Sequence, residues 1–194
     1  MKLKLPGVLG AILLLAGCGQ QHAEYHGGGG TLEAINHTKW AIQFSVNGQS
    51  GIDIIGPFQG GGGGCCFGAP STWEPGMTVR VDWETSVAFA SDVPEIPKPK
   101  RPNLDNLDAE TGSLIQRKYN TEYLAWREKV KKLSRQHSLT VPVPDYTGQK
   151  TCGIVVHFLP CDQVKVTTSC SRYGNPDYPI KEPLEMEAPK VCPK

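Results

Sequence analysis

Two β-prone runs mirror each other about Pro160-Cys161-Asp162, and each has a cysteine at its far end. Residues 153–159 and 163–169 read as strands joined by a tight connection. A hairpin centred on Cys161 sets Phe158 against Val164, Val156 against Val166, Ile154 against Thr168 and Cys152 against Cys170. Strand side chains alternate faces with period two, so Cys152 shares the Ile154/Val156/Phe158 face and Cys170 lies opposite on the Val164/Val166 face. Directly opposed residues have Cβ atoms about 4.5–5.5 Å apart, within modest adjustment of disulfide geometry. The expected bond is therefore Cys152–Cys170. Cys65 and Cys66 are adjacent and poorly placed to join each other, so they are expected to take Cys161 and Cys192, in either order.

The remaining strands follow from alternation. Trp40, Ile42, Phe44 and Val46 interleave with Ala41, Gln43 and Ser45, the pattern of a half-buried strand. Asn47-Gly48 signals a turn. A two-residue turn would set Ile42 against Asp53, so a five-residue loop over 47–51 is expected, placing Val46 against Ile52 and Phe44 against Ile54. After the turn Trp73-Glu74-Pro75-Gly76, residues 78–84 alternate with Val79, Val81 and Trp83 inward. Residues 139–143 add a strand that Pro142 confines to an edge.

Between these blocks the composition changes. Residues 93–102 form a basic, proline-rich extended loop. A helix is expected over 113–135, because Ile115, Tyr119, Tyr123, Trp126, Val130 and Leu133 recur at helical spacing. Either the helix packs on the β core with a solvated charged back, or loop and helix together form an element presented to a partner. Residues 19–90 carry two basic and six acidic side chains, against ten and seven over 91–137. The insertion is mildly cationic, while the whole chain is near neutral at +1, which argues against nucleic-acid binding.

The N-terminus fixes the expected compartment. Lys2 and Lys4 precede an apolar run at 8–15 that is shorter than the roughly 20 residues of a spanning helix, so residues 1–17 read as a signal peptide. Leu15-Ala16-Gly17-Cys18 resembles the lipobox of bacterial lipoproteins. That resemblance implies acylation of Cys18, and Gly19 in the next position implies the outer membrane; the expected orientation faces the periplasm. Residues 18–30 then form a glycine-rich lipidated tether, and 31–194 a single domain with its insertion at 93–137. The other six cysteines suit an oxidising compartment.

Signatures of chemistry are sparse. The glycines at 60–64 lack the Lys-Ser/Thr of a phosphate loop and read as backbone freedom for Cys65 and Cys66. There is no Gly-x-Ser-x-Gly or His-Glu-x-x-His. No cysteine pair has zinc-knuckle spacing, and His22 and His26 sit beside four glycines, so no metal or cofactor is expected. His157 falls on the strand face away from the valines and reads as solvent-facing. His37 and His137 have no acidic or cysteine neighbour at a telling spacing. A non-enzyme is the expectation.

Several strings resemble a family of proteobacterial lipoproteins whose domain has no known function. They are Ile35-Asn36-His37-Thr38, the glycine run with Cys65-Cys66, residues 73–83, Val156-His157-Phe158-Leu159-Pro160, and Pro176-Asp177-Tyr178-Pro179. Members are often encoded beside type VI secretion phospholipase effectors, which implies immunity proteins that bind and occlude a toxin. Arg117, Tyr123, Trp126 and Arg127 are the expected contact residues. The alternative is a structural or ligand-binding envelope lipoprotein without a toxin partner. The expected fold is mainly β: a small antiparallel sandwich from 31–88 and 138–175 with one helix-bearing insertion. A proline-broken tail would wrap the surface, pinned through Cys192.

Overall fold

A computed structural model describes residues 30–193 except Ile52, Cys65, Cys66 and Gly68. Cys18, His22, His26, Cys65 and Cys66 therefore lie outside the described residues. The strands are β1 (Thr31–Asn36), β2 (Ala41–Val46), β3 (Gln49–Ser50), β4 (Gln59–Gly64), β5 (Thr78–Ser86), β6 (Arg135–Pro142), β7 (Thr151–Leu159) and β8 (Gln163–Ser169). They form two four-stranded sheets, ordered β4-β1-β7-β8 and β3-β2-β5-β6. The fold is the expected mainly β sandwich. One pairing departs from it: β1 and β7 run parallel, their long connection being the whole second sheet and the insertion.

The core lies between the sheets and follows the alternation read from the chain. Val79, Val81 and Trp83 of β5 and Ile42, Phe44 and Val46 of β2 are buried against Leu32, Ile154, Val156, Phe158, Val164 and Val166. Phe158 is central: its ring meets Phe44 edge-on at 5.4 Å and Trp83 at 5.7 Å. β6, with Pro142 at its end, occupies a sheet edge as expected.

The β2 turn differs from expectation. Ser45 pairs with Ser50 and Val46 with Gln49, leaving a two-residue loop with positive φ at Asn47 (49°) and Gly48 (83°). Such a turn matches strand twist. The apolar face survives because the register changes between Gly51, which still donates to the Phe44 carbonyl at 3.0 Å, and Ile55. Ile42 and Ile55 exchange both backbone hydrogen bonds at 2.8 Å. The chain thus skips Asp53, and Ile54, expected opposite Phe44, is 64% exposed.

The β7–β8 hairpin has the expected register from Val155 to Leu159. Below it a bulge shifts the pairing, so that Thr151 faces Ser169. Cys152 and Cys170 are joined with Cα atoms 4.9 Å apart. Gly153 takes up the bulge at φ 109°, pressed so close to β1 that a Cβ there would lie 2.1 Å from the Thr31 carbonyl oxygen. The second bond joins Cys161 to Cys192, correcting the expectation that each would take Cys65 or Cys66. The tail passes the hairpin turn closely enough to reach Cys161 itself. The glycine run, expected to be a flexible lead to Cys65, is instead edge strand β4, paired with β1 through a bulge near Leu32.

The insertion is an arm. Helix α1 (Ala109–Lys131) begins and ends four residues earlier than expected. Asp108 caps it by accepting from Thr111 N–H at 2.9 Å, and the chain turns into β6 from Arg135. None of its residues is buried and none joins the core cluster. The reading that packs the helix on the β core is thus wrong. Part of the aromatic stripe faces the proline-rich segment instead: Trp126 Nε1 donates to the Ile96 carbonyl at 2.9 Å. The Lys98 ammonium lies 5.7 Å from the Tyr123 ring centre and 5.5 Å from that of Trp126. Among the described residues no helix is long and apolar enough to cross a membrane.

Gly153 generates a direct test. Gly153→Ala is expected to destabilise the domain by about 3 kcal/mol, since backbone cannot yield as a flexible side chain would. Gly148→Ala, also at positive φ but with open space around it, should cost about 1 kcal/mol. Urea unfolding of both variants checks the difference.

Candidate functional site

Buried polar groups concentrate where the tail crosses the outer face of the β1/β7 sheet. Asn36 closes β1 by folding its side chain back on the next turn. Its Nδ2 donates to the Trp40 carbonyl at 2.6 Å and to the Gly56 carbonyl at 2.8 Å. Its Oδ1 accepts from the backbone N–H and the hydroxyl of Thr38. That turn delivers His37, fully buried, beside His157 of β7. The imidazoles stack with centroids 5.1 Å apart.

Valence dictates the proton positions. His37 Nδ1 lies 2.7 Å from the Pro183 carbonyl oxygen, which only accepts, so Nδ1 carries a hydrogen. In the neutral ring Nε2 is then the acceptor, and it takes the His157 Nδ1–H at 2.8 Å. His157 Nε2 in turn accepts from the Tyr178 hydroxyl at 2.6 Å. With this assignment every ring nitrogen is satisfied and the bonds all run one way. Burial, with the neighbouring His37 and Lys165 adding to it and Glu182 opposing, lowers the His157 pKa to about 3. Burial likewise raises the Tyr178 phenol above its usual range, helped by Glu33 and Tyr173. The hydrogen bond from Lys165 holds Glu182 below the ordinary carboxylate range. Met186 N–H to the His37 carbonyl at 3.2 Å completes the fastening.

The tail so held walls a cavity of about 320 Å³ at one end of the sandwich. Trp83 and Phe158 lie at its base, with Trp40 and Phe58 higher up and Met186 and Glu187 from the tail. Trp40 is 37% exposed, and Lys39 Nζ sits 5.1 Å from its ring centre. His137 stacks on Trp83 with centroids 4.9 Å apart. Its Nε2 is 3.1 Å from the Thr85 hydroxyl, and its Nδ1 is 3.7 Å from Asp162. Hydroxyl, imidazole and carboxylate follow the order of an acyl-transfer triad. The 3.7 Å separation exceeds a hydrogen bond and Asp162 is largely exposed, so the carboxylate does not orient the ring as that chemistry requires. Among the described residues no three His, Cys, Asp or Glu side chains come together as a metal site.

The expected contact residues separate into two groups. Arg117 and Arg127 are exposed on α1. Tyr123 and Trp126 are half-buried under Lys98 and help hold the arm together. His157 is the clearest correction, because it was expected to face solvent and is wholly buried. Its strand face is indeed the one away from the valines, but the tail covers it. Neither His37 nor Tyr178 was identified as its partner. The signal in the chain is the near-continuous apolar run Ile154 to Leu159 around it, which suits a strand covered on both faces.

The buried His157 ring makes stability depend on pH with a definite sign. The unfolded His157 titrates near 6.5 and the folded one near 3, so between these values the unfolded chain binds more protons. Its contribution is complete above pH 6.5 and is lost as pH falls toward 3. Between pH 6.5 and 4.5 the protein should lose roughly 2–3 kcal/mol through this group. His157→Gln should be less stable at pH 7 by about 2 kcal/mol, with a flatter profile over the same interval. Urea titrations of both proteins at several pH values check the slope.

A family profile described as a protein of unknown function, DUF3304, matches residues 35–166. That span takes in His37, the second sheet, the arm and most of the β7–β8 hairpin, and ends before Tyr178. No curated protein and no solved structure matches the chain. With about two thirds of its length inside the match, the chain belongs to the DUF3304 family of proteins of unknown function.

Proposed function

We propose that this chain is a lipid-anchored protein of the outer membrane, facing the periplasm, that binds and occludes a secreted toxin such as a phospholipase. It acts without catalysis of its own. The observation that carries this reading is the arm. A helix with no buried residue, capped by Asp108 and stapled by Trp126 to the proline-rich segment, is held out from a stable sandwich. Preorganised elements lose little freedom on binding, and a helix of this length offers about 34 Å of surface. Occlusion needs an interface of about 1,600 Å² in total, more than the helix alone supplies, so the proline-rich segment takes part. The disulfides Cys152–Cys170 and Cys161–Cys192 suit an exported protein. An acylated Cys18 would keep it near the lipid that such a toxin attacks.

Within the arm, Arg117 and Arg127 are the partner contacts, and the exposed Leu114 and Leu124 accompany them. Tyr123 and Trp126 act indirectly, by keeping the helix on its proline support. A second reading, a ligand-binding envelope lipoprotein, draws on one observation, the aromatic cavity at the end of the sandwich.

Charge reversal on an exposed helix face leaves the fold intact, so it isolates binding. Arg117→Glu with Arg127→Glu should leave thermal unfolding within about 0.5 kcal/mol of the parent. The same pair should weaken capture of the toxin encoded beside the gene at least tenfold and abolish protection of co-expressing cells. Unchanged capture and protection would remove the arm from the interface.

A further inference from the structure

The cavity between Trp40, Trp83 and the β7–β8 turn is not used by the arm, and its lining says what it would hold. Trp83 and Phe158 offer ring surface at the base, and Trp40 offers more at the mouth. Thr85, Asp162 and Gln163 place a hydroxyl, a carboxylate and an amide around the same space. At about 320 Å³ it falls at the small end of ligand pockets, about 300–1,000 Å³.

Each simple ligand class meets an obstacle except one. A wholly apolar chain would strip water from Asp162 and Gln163 without replacing it, and unpaired polar groups are costly to bury. An anion would face both Asp162 and Glu187. A cation would face Lys39, which lines the same space. An uncharged polyol with C–H faces satisfies every wall: its hydroxyls exchange hydrogen bonds with the polar groups, and its C–H edges lie on the electron-rich aromatic faces. We propose that this cavity is a binding site for one neutral hexopyranose unit of a glycan, with Trp40 as the stacking platform and Asp162 and Gln163 as hydrogen-bonding partners. This goes beyond the toxin-binding reading and does not rest on it.

The site is built into the fold. Asp162 follows Cys161, both at positive φ (56° and 63°), in the tight turn that the Cys161–Cys192 bond ties to the tail. Trp83 is fixed between Phe158 and the His137 ring. The tail segment bearing Met186 and Glu187 is anchored by the backbone bond to His37. Among the rings of the lining Trp40, at 37%, is the most exposed.

Titration of the folded protein with N-acetylglucosamine and with glucose, followed by the indole N–H signals in NMR, tests the proposal. Arginine amide and octanoate serve as cationic and apolar probes. At least one sugar should shift the Trp40 and Trp83 signals saturably with a dissociation constant on the order of 1 mM. Trp40→Ala and Asp162→Asn should each weaken that binding about tenfold. Both replace exposed side chains, and unchanged shifts of the core residues verify the fold. Absence of saturation by either sugar, stronger binding of octanoate or arginine amide, or full affinity in both variants would overturn it. None of these outcomes bears on toxin capture, which the charge reversal on α1 reads separately.

Discussion

The one-way hydrogen-bond chain from Tyr178 through His157 and His37 to the Pro183 carbonyl is the constraint on which the rest depends. A two-layer sandwich of this size would leave the outer face of its β1/β7 sheet open. The tail closes that face with no regular structure of its own, so it cannot rely on a ladder of backbone bonds. It relies instead on two imidazoles that each donate once and accept once. Protonation of His157 would place a charge in this buried site, which burial disfavours. Buried polar networks that are fully satisfied specify one geometry, and here that geometry is the path of the tail.

That path makes the rest of the architecture possible. With residues 183–188 fixed beside His37, Cys192 comes within reach of Cys161, and the hairpin turn is tied to the chain end. The turn carries Asp162 to the mouth of the cavity, and Met186 and Glu187 supply its remaining wall. The arm is built on a different principle. It joins the sandwich where β5 ends and β6 begins, and its coherence comes from Trp126 bonded to Ile96 and from Lys98 over two rings. Sandwich and arm can thus carry separate interactions, one with a small polar ligand and one with a protein surface.

Sequence periodicity made the two-layer core legible, because Val79, Val81 and Trp83, or Ile154, Val156 and Phe158, announce their shared faces by alternation alone. The Cys152–Cys170 bond was legible for the same reason. What escaped was whatever alternation does not encode. Asn47-Gly48 takes the short turn its residues prefer, and the apolar register is rescued by the shifted pairing of Ile55 with Ile42. The stripe from Ile115 to Val130 is amphipathic, yet amphipathicity does not say whether the covering surface is a sheet or a proline-rich segment. His37, His157 and Tyr178 come together through a parallel strand pair and a tail without secondary structure, and no spacing in the chain predicts either.

The most direct test of the account is the tautomeric state of the two buried imidazoles, read from long-range ¹H–¹⁵N couplings in NMR at neutral pH. Both rings should carry their hydrogen on Nδ1, and His157 should remain in that form at about pH 5, well below the ordinary histidine range. A hydrogen on Nε2 of either ring, or titration of His157 near its unperturbed value, would contradict the account and release the tail from the role assigned to it.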